Sequence, residues 1–466
     1  MMKIGTAGFR GIIGDEFTKE NVTKIIQCMC NIIDRENLKR EVLIGYDNRF
    51  MSEIYAEWIS EVLVGNNVKV KLTNTSVPTP LVSFMTKKLN LDFGVMITAS
   101  HNPYFYNGLK IFSKLGREVD KRMEDIFNSE PETITEIKKV SFKDAVEQNM
   151  VEKVEYTKNF VDNIISLLKF KDNFDVKAIY NVMNGSSLNA VMELKKQLNL
   201  KNLDIVNTNR DALFNLGGPI PTEENLQEYK DFALKNKYEF AFATDGDGDR
   251  IAVFDENGKY YNGNELNSLI YYFMLKEKGM NGAFVKNYSF STIVDKIANK
   301  FGTNVVETKV GFKYVTEGLI ENDALIGAEN SGSEVKGHVY VKDGLVVFAL
   351  LLEIIEFYKK PLSKIFDDVK KFANYDMAYI EYSFKIDNKE KIIEYLQKND
   401  PKFTKKIAKK GTLDGFKYIF EDGSWALIRL SGTENLIRII LEQPTQKQID
   451  KLLQESIKIV EDIAKN

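Results

Sequence analysis

Strand-like and helix-like segments alternate along most of this 466-residue chain. Residues 41–47 form an apolar run typical of a strand, residues 52–64 follow with helical spacing, and Phe93–Ile97 is apolar throughout. A continuous apolar run is typical of a strand that is buried on both faces. Because the same alternation recurs over residues 176–254 and 283–327, the sequence predicts parallel α/β layers.

The C-terminal part of the chain has a different pattern. Strand-like runs follow one another there with few helices between them, which predicts an α+β domain. The chain also exceeds the roughly 250–300 residues at which a single hydrophobic core stops growing. We therefore predict three α/β domains with mixed, mostly parallel sheets and a C-terminal α+β domain, at residues 1–150, 151–256, 257–373 and 374–466.

The charge balance and the apolar segments narrow the range of partners. Lys and Arg total 64 and Asp and Glu total 67, well mixed, so we expect no nucleic-acid partner. The most apolar helical run, residues 345–357, is too short to span a bilayer and contains two glutamates. The first residues lack a signal-peptide pattern, and Cys28 and Cys30 point to different faces of one helix-like segment. These features predict a cytoplasmic protein without a membrane partner.

Four polar segments interrupt the apolar strands, and ligands of α/β proteins bind at the carboxyl ends of strands. The first segment is T-A-S-H-N-P at residues 98–103, directly after Phe93–Ile97. Ser100 beside His101 is a candidate nucleophile, and a hairpin return could bring Lys110 back to it. The alternative is an ordinary turn that ends the strand.

The second segment is D-G-D-G-D-R at residues 245–250. Carboxylates about 4 Å apart repel each other by roughly 1 kcal/mol in water and about 4 kcal/mol at a half-buried site. A hard divalent cation bound by Asp245, Asp247 and Asp249 removes that cost, and the glycines allow the three to converge. The alternatives are a solvated acidic turn and a helix-flanked calcium loop. The calcium loop requires glycine where this chain has Arg250.

The third and fourth segments are candidates for sugar and phosphate binding. G-A-E-N-S-G-S at residues 327–333 offers Glu329 and Ser331 for sugar hydroxyls, and Ser331-x-x-Glu334 could instead be a helix capping box. The fourth segment joins hydroxyls, a glycine and arginines in one phosphate cradle. Its serine could likewise begin a capping box. The candidate cradle residues are Arg429, Ser431, Gly432, Thr433, Asn435 and Arg438.

In this order and spacing, and with the opening G-T-A-G-F-R-G of residues 5–11, the segments resemble the α-D-phosphohexomutases. Within that family they are most similar to the phosphoglucomutase/phosphomannomutase group. The resemblance extends over nearly the whole chain. It implies four domains around a central cleft, with one loop contributed by each.

The resemblance also implies a role for each matched residue. Ser100 corresponds to a phosphorylated serine that shares one Mg²⁺ with Asp245, Asp247 and Asp249. Arg10, Lys110 and Arg250 correspond to residues around the transferring phosphoryl group. Glu329 and Ser331 correspond to sugar-hydroxyl ligands, and the cradle to the site of the non-reacting phosphate. Lys286 and Gly311 correspond to further substrate positions. Lys110 and His338 are candidates for the general base, and Lys110 would need a lowered pKa for that role, which a neighbourhood of arginines could give.

The implied reaction interconverts hexose 1-phosphate and hexose 6-phosphate through a phosphoserine enzyme and a hexose 1,6-bisphosphate. Departures from the family pattern at Asn330, Ser333 and Asn435 leave the sugar open between glucose and mannose. The segment Lys336-Gly337-His338 disfavours glucosamine. The alternatives are a phosphoglucosamine mutase, a metal-dependent sugar-phosphate phosphatase, and a non-catalytic calcium-binding module.

Overall fold

The computed structural model describes residues 8–171, 174–430 and 436–465. The described strands form four sheets that follow one another along the chain. Each sheet is the centre of one domain, and we number the domains I to IV. The predicted class, three α/β domains followed by an α+β domain, is confirmed.

Domain I contains a sheet with the strand order β1-β5-β4-β2-β3-β6. The last four of these strands run parallel to one another. At the other edge, β5 runs antiparallel to both of its neighbours, β4 and β1. One face packs against α1, α2, α4 and α5, and the other against α3 and domain II. The strands are β1 (Phe9–Ile12), β2 (Glu41–Tyr46), β3 (Lys69–Thr73), β4 (Phe93–Ile97), β5 (Tyr106–Ser113) and β6 (Val151–Val154). The helices are α1 (Lys19–Arg35), α2 (Ser52–Gly65), α3 (Thr79–Lys88), α4 (Lys121–Ser129) and α5 (Phe142–Glu147).

Domain II contains a sheet with the order β11-β10-β9-β7-β8, in which β9, β7 and β8 are parallel. The aspartate segment is the turn of the short hairpin β9–β10, so no helix leaves that loop. The helix-flanked calcium loop is therefore excluded. The strands are β7 (Ala178–Asn181), β8 (Leu203–Val206), β9 (Phe240–Thr244), β10 (Ile251–Phe254) and β11 (Tyr260–Tyr261). The helices are α6 (Thr157–Ser166), α7 (Leu188–Gln197) and α8 (Gln227–Lys235).

Domain III contains a sheet with the order β13-β12-β14-β15, in which only β15 is antiparallel. Helix α12 is buried from Gly344 to Ile355 and contacts α6 and β10 of domain II, so the most apolar run is an internal helix, as predicted. The strands are β12 (Phe284–Asn287), β13 (Val305–Thr308), β14 (Ile326–Glu329) and β15 (Gly332–Val335). The helices are α9 (Gly263–Lys276), α10 (Ile293–Phe301), α11 (Phe312–Glu321), α12 (Gly344–Tyr358) and α13 (Leu362–Ala373).

Domain IV is an antiparallel sheet with the order β16-β20-β19-β18-β17. One face packs against α14 and α15, and the other rests partly on domain III. The strands are β16 (Ala378–Lys385), β17 (Ile407–Gly411), β18 (Phe416–Phe420), β19 (Trp425–Leu430) and β20 (Leu436–Gln443). The helices are α14 (Lys389–Lys398) and α15 (Gln446–Lys465).

Sheet pairing shifts two of the predicted domain boundaries. β6 pairs with β3, so the first sheet extends beyond residue 150. β11 pairs with β10, so the second sheet extends beyond residue 256. Both strands are short and lie at a sheet edge, where a sequence pattern carries little information about the partner strand.

Candidate active site

The serine loop, residues 98–103, follows β4 at the carboxyl end of the first sheet. Ser100 is fully buried and has a φ of 53°, a left-handed conformation that costs a non-glycine residue roughly 1 kcal/mol. Its amide donates to Thr98 Oγ1 at 2.8 Å, and its Oγ donates to Asp245 Oδ2 at 2.8 Å. His101 Nδ1 lies 3.3 Å from the same Oγ. The strained turn therefore directs the hydroxyl at domain II.

Arg49, which the sequence analysis did not identify, holds this loop in place. Its guanidinium is buried and donates four hydrogen bonds to backbone carbonyls of the loop and of the residues after it. The bond to the carbonyl of Ser100 is 2.6 Å long. Asp47 balances the charge at 3.3 Å. Both residues follow β2, so the strand-end rule that identified Ser100 could have identified them.

The aspartate loop, residues 245–250, follows β9 and carries the predicted metal ligands. Carboxylate oxygens of Asp245, Asp247 and Asp249 lie within 4.8 Å of one another, and all three residues are buried. Asp247 Oδ1 and Asp249 Oδ1 are buried and have no hydrogen-bond partner among the described residues. Buried carboxylate oxygens without a donor are costly, and a hard cation is the ligand that satisfies them. The residues present therefore fit a divalent cation.

Two glycines allow the aspartate loop to meet the serine loop. A Cβ at position 246 would lie 2.8 Å from the carbonyl oxygen of Ser100, closer than real Cβ contacts. Gly248 has a φ of 72°, in the region that favours glycine. The prediction that these glycines let the carboxylates converge is confirmed.

Charges in the triad are balanced by Lys110, which the antiparallel strand β5 returns to the site as predicted. Its Nζ lies 2.8 Å from Asp247 Oδ2 and 2.9 Å from Asp249 Oδ2. Burial by itself lowers the pKa of Lys110, but the two aspartates outweigh it and the pKa is raised. The sequence-based expectation of a lowered pKa is wrong, because the nearest charges are carboxylates. Lys110 is a fixed cation here.

Asp245 differs from the other two aspartates. Burial first, and then the charges of Asp249 and Asp247, raise its pKa well above the usual value. For Asp247 and Asp249, burial acts in the same direction but is outweighed, mainly by Lys110, and their pKa values are lowered. The carboxyl group that receives the Ser100 hydrogen bond is thus the least acidic of the three.

Two arginines border the same site. Arg10 lies on β1 and donates from Nη1 to Asn102 Oδ1 at 2.6 Å, and the backbone amide of Arg250 donates to Asp245 Oδ1 at 3.2 Å. The Nε atoms of both arginines are buried without a hydrogen-bond partner among the described residues, although Arg250 Nε lies 3.9 Å from Asp249 Oδ1. Burial, followed by the charges of Arg250 and Arg10, lowers the pKa of His101 to about 3. His101 is therefore neutral at physiological pH.

Glu329 stands at the end of β14, and the next residues form a tight hairpin into β15. The capping-box alternative for Ser331 is therefore excluded, and this serine is exposed in the turn. Glu329 Oε1 accepts hydrogen bonds from Asn287 Nδ2 at 3.0 Å and from the Gly311 amide at 2.7 Å. Gly311 lies just before α11 with a φ of 136°. These contacts orient the Glu329 carboxylate.

The cradle begins where β19 ends. Arg429 Nε donates to Asp414 Oδ2 at 3.1 Å, and the same oxygen accepts from the Val310 amide at 2.9 Å. Arg438 lies opposite Arg429 on β20, so two guanidinium groups share one end of the sheet. Because Leu436–Gln443 is a strand, no helix follows for a capping box. The other predicted cradle residues, Ser431, Gly432, Thr433 and Asn435, lie outside the described residues.

Two predicted site residues are engaged elsewhere. Lys286 is 3% exposed and its Nζ lies 2.5 Å from Asp295 Oδ2, so its charge is neutralised within domain III. His338 is 2% exposed, with Nε2 at 2.5 Å from Asp343 Oδ2 and Nδ1 at 2.8 Å from Asn163 Nδ2. Both nitrogens are occupied in an interdomain contact. These contacts argue against the general-base role that the resemblance suggested for His338, because both ring nitrogens already have hydrogen-bond partners.

Thr79 and Lys342 are further site residues that the sequence analysis missed. Thr79 Oγ1 donates to Asp247 Oδ2 at 2.5 Å, and its amide donates to the Asp247 carbonyl at 2.9 Å. Lys342, from the segment after β15, interacts electrostatically with Asp249 and Glu329. Both follow a strand, β3 and β15 respectively, but lie several residues beyond its end. Within the described ranges, no helix is both long and apolar enough to cross a membrane.

Each of the four domains thus contributes one set of site residues, as the resemblance to the α-D-phosphohexomutases implied. These sets are Ser100, the aspartate triad, Glu329 and the pair Arg429 and Arg438. Comparison with known proteins agrees. Phosphoglucomutase/phosphomannomutase domain models match in order: alpha/beta/alpha domains I, II and III over residues 1–137, 154–258 and 262–372, and the C-terminal domain over residues 383–459.

Individual relatives span the whole chain. A phosphoglucomutase/phosphomannomutase of Thermococcus kodakarensis is 31% identical over 99% of both chains. A phosphoglucosamine mutase of Methanocaldococcus jannaschii is 29% identical over 91% of this chain and 92% of its own. A structure from Thermus thermophilus, assigned to the phosphomannomutases, is 26% identical with a TM-score of 0.86 over 99% of both chains. The chain belongs to the phosphoglucomutase/phosphomannomutase family and is a phosphohexomutase, an isomerase.

Proposed function

We propose that the chain transfers a phosphoryl group between the 1- and 6-hydroxyls of glucose or mannose phosphates, with Ser100 as the relay. One observation carries the proposal: the 2.8 Å contact between Ser100 Oγ and Asp245 Oδ2. This contact puts a buried hydroxyl from domain I against the candidate metal ligands of domain II. The substrate is a small sugar phosphate, and the reaction takes place in the cytoplasm.

The reaction begins with phospho-Ser100. The bond between phosphorus and Ser100 Oγ breaks as a new P–O bond forms to the 6-hydroxyl oxygen of a hexose 1-phosphate. The hydroxyl proton passes to a base, and Ser100 Oγ is protonated as it leaves. His101 is a neutral imidazole beside Ser100 and supplies a proton acceptor. The resulting hexose 1,6-bisphosphate turns over and returns its 1-phosphoryl group to Ser100, and hexose 6-phosphate leaves.

Catalysis of phosphoryl transfer is mainly positioning and charge neutralisation. Arg10, Lys110 and Arg250 provide fixed positive charge around the transferring group. The aspartate triad, with an oxygen of phospho-Ser100, would hold one Mg²⁺ per chain. When bound, this ion neutralises charge on the phosphoryl oxygens.

Substrate binding needs contacts that serve both orientations of the sugar. Glu329 and Ser331 bind hydroxyl groups, and Arg429 and Arg438 bind whichever phosphate is not reacting. Ser431, Gly432, Thr433 and Asn435 lie outside the described residues and are assigned to the same phosphate by the resemblance alone. Gly311 orients Glu329. Of the predicted substrate residues, Lys286 is left out of this mechanism because Asp295 neutralises it.

Intact-mass measurement and an assay with glucose 1-phosphate test the relay. Purified protein should carry one additional phosphoryl mass after incubation with glucose 1,6-bisphosphate, and Ser100→Ala should neither gain that mass nor turn over substrate. Thr98→Ser, which keeps a hydroxyl at the same loop, is the matched control and should retain both properties. Full mutase turnover by Ser100→Ala would refute the relay, and release of free phosphate alone would indicate a phosphatase.

The metal assignment has its own test. Asp247→Asn should increase the Mg²⁺ concentration needed for half-maximal turnover and slow turnover by about 100-fold or more, since a charged ligand of the cation that neutralises the transferring group is lost. An unchanged Mg²⁺ dependence would place the ion elsewhere.

A further inference from the structure

A short segment of domain II, residues 211–219, packs against the serine loop of domain I. Three successive residues in it have left-handed backbones: Phe214, Asn215 and Leu216, with φ of 46°, 54° and 64°. Non-glycine residues rarely adopt this conformation, and a run of them persists only where its surroundings impose it. We call residues 211–219 the left-handed segment, and its strained shape points to a role in function.

One carboxylate holds the left-handed segment in this shape. Asp211 Oδ1 accepts a hydrogen bond from the Leu213 amide at 2.9 Å, and Asp211 Oδ2 accepts one from the Asn215 amide at 2.8 Å. The Leu216 amide closes the turn by donating to the Leu213 carbonyl at 2.8 Å. The turn is therefore well defined, although Leu216 at its tip is 71% exposed.

The aromatic ring of the left-handed segment faces the arginine that supports the serine loop. Phe214 is 6% exposed, and its ring centroid lies 5.1 Å from Arg49 Cζ. The four hydrogen bonds from Arg49 to loop carbonyls lie along the edge of its planar guanidinium, so the ring covers a face that those bonds leave open. A cation–π contact is strongest when it is desolvated, as here. Phe214 therefore helps to fix the orientation of Arg49 from the neighbouring domain.

Two backbone contacts attach the left-handed segment directly to the serine loop. The Gly217 carbonyl accepts a hydrogen bond from the Tyr104 amide at 2.9 Å. A Cβ added at Gly218 would lie 2.9 Å from the carbonyl oxygen of His101, so this close approach of two backbones depends on glycine. The contact between the two domains is thus made by main chain as well as by the Phe214 ring.

The end of the left-handed segment also contacts the aspartate loop. Pro219 is buried. A Cβ added at Gly246 would lie 2.8 Å from Pro219 Cγ and 2.8 Å from the carbonyl oxygen of Ser100. Pro219, Gly246 and the Ser100 carbonyl therefore lie side by side. The left-handed segment thus contacts both loops of the proposed reaction centre, and its shape affects how they fit together.

We propose that Phe214 is a positioning residue, through which the left-handed segment holds the serine loop against the aspartate loop and keeps the phosphoryl group on Ser100 from reacting with water. This role rests on the proposed relay and deepens it. In the reaction that is suppressed, a water oxygen bonds to phosphorus as the bond between phosphorus and Ser100 Oγ breaks. Ser100 Oγ takes up a proton from the water, and inorganic phosphate leaves.

A role for Phe214 in stability alone makes a different prediction. If the ring only fills space between the domains, its truncation lowers the free energy of unfolding, but molecules that are folded keep the wild-type kcat and the wild-type lifetime of phospho-Ser100. If the ring positions the loop, both quantities change at temperatures where the protein is fully folded. The KM for glucose 1-phosphate should then stay nearly constant, because the proposed sugar and phosphate contacts belong to domains III and IV.

The experiment compares the full chain with Phe214→Leu, which keeps an apolar side chain but removes the aromatic face. Each protein is phosphorylated with glucose 1,6-bisphosphate, freed of ligand and followed by intact mass as the phosphoryl group is lost. We expect this hydrolysis to accelerate about tenfold, and kcat to fall about tenfold with KM within about twofold, since a small displacement of a reacting group has effects of this size. Phe232→Leu is the control, because this ring is 48% exposed on α8 of the same domain; its rates should equal those of the wild type.

Two further variants test the same role if Phe214→Leu folds poorly. Asp211→Ala removes the carboxylate that holds the turn and leaves the Phe214 ring in place, so it should change hydrolysis and kcat in the same directions. Combining Phe214→Leu with Arg49→Lys gives a double-mutant cycle on kcat. The two effects should be less than additive if Phe214 acts through Arg49, and fully additive effects would overturn that route.

Failure of the positioning role is distinguishable from failure of the proposed function. A wild-type chain that takes up no phosphoryl group from glucose 1,6-bisphosphate would refute the relay, and the protective role of Phe214 with it. A wild-type chain that takes up the group, together with Phe214→Leu and Asp211→Ala proteins that lose it at the wild-type rate and keep the wild-type kcat, would overturn the positioning role alone.

Discussion

The conservative variant Arg49→Lys tests whether one buried guanidinium fixes the geometry of the serine loop. Arg49 donates to the carbonyl groups of Ser100, Asn102, Pro103 and Tyr106 at 2.6 to 3.1 Å and pairs with Asp47 at 3.3 Å. A lysine keeps the charge but has three donors on one atom instead of five on a planar fork. The variant therefore changes hydrogen bonding without leaving Asp47 as an unpaired charge.

The expected size of the effect follows from these contacts. Four hydrogen bonds and one ion pair make five contacts, and an ammonium can satisfy at most three of them. At least two are lost, each worth roughly 0.5–1.5 kcal/mol net. We expect domain I to be destabilised by about 1–3 kcal/mol. Turnover should fall by about tenfold or more, because a loop that holds the reacting oxygen loses its support.

Two measurements test this prediction. Urea unfolding followed by circular dichroism gives the change in stability, and hydrogen exchange of peptides covering residues 93–113 shows whether the loss is local. Arg40→Lys is the matched control, since Arg40 pairs with Asp34 at the surface and such pairs contribute little. An Arg49→Lys protein with the stability and turnover of the wild type would show that the loop does not depend on the guanidinium.

Three further predictions follow from the site. Thr79→Val removes the hydroxyl that donates to Asp247 Oδ2, so the Mg²⁺ requirement should rise several-fold in a titration of turnover, whereas an unchanged requirement would contradict a positioning role. His338→Leu should lower stability by about 1–3 kcal/mol, because Asp343 loses a buried hydrogen-bond partner, yet keep the wild-type pH profile of kcat; a shifted profile would restore the histidine as a base. Burial, opposed by Lys110, raises the pKa of Glu118 to about 7. Because the native pKa is raised, the folded chain binds this proton more tightly than the unfolded chain between about pH 4.5 and 7, so stability falls as the pH rises through that window. In Glu118→Gln, the urea midpoint measured in EDTA should fall less steeply with pH over the same window. Identical pH dependence in the variant and the wild type would refute the assignment.

Much of the fold was predictable because it depends on local patterns. The continuous apolar run of β4 indicated a strand buried on both faces, and the structure confirms it. The apolar helix α12 was recognised as internal from its length and its glutamates. Polar residues after strands then located the serine and aspartate loops, since parallel strands deliver their carboxyl ends to one edge of a sheet.

The remaining features depend on what lies nearby in space. The partners of Arg49 are backbone carbonyl groups, which leave no residue type to recognise. The pKa of Lys110 was expected in the wrong direction because arginines were counted as its neighbours, whereas Asp247 and Asp249 are closer. The resemblance suggested His338 as a base, and only its burial and its contacts with Asp343 and Asn163 indicate a structural role. Each error concerns a long-range neighbour that sequence spacing does not specify.

One short loop of domain III connects the two halves of the substrate site. The Gly311 amide orients Glu329 at 2.7 Å, and the adjacent Val310 amide binds Asp414, which in turn holds Arg429 at 3.1 Å. Successive peptide groups thus set the positions of the proposed sugar contact and the proposed phosphate contact, which belong to different domains. Because the proposed mechanism presents either end of the sugar to the same cradle, the distance between these contacts has to suit both orientations. A rigid backbone link sets that distance more reliably than flexible side chains do.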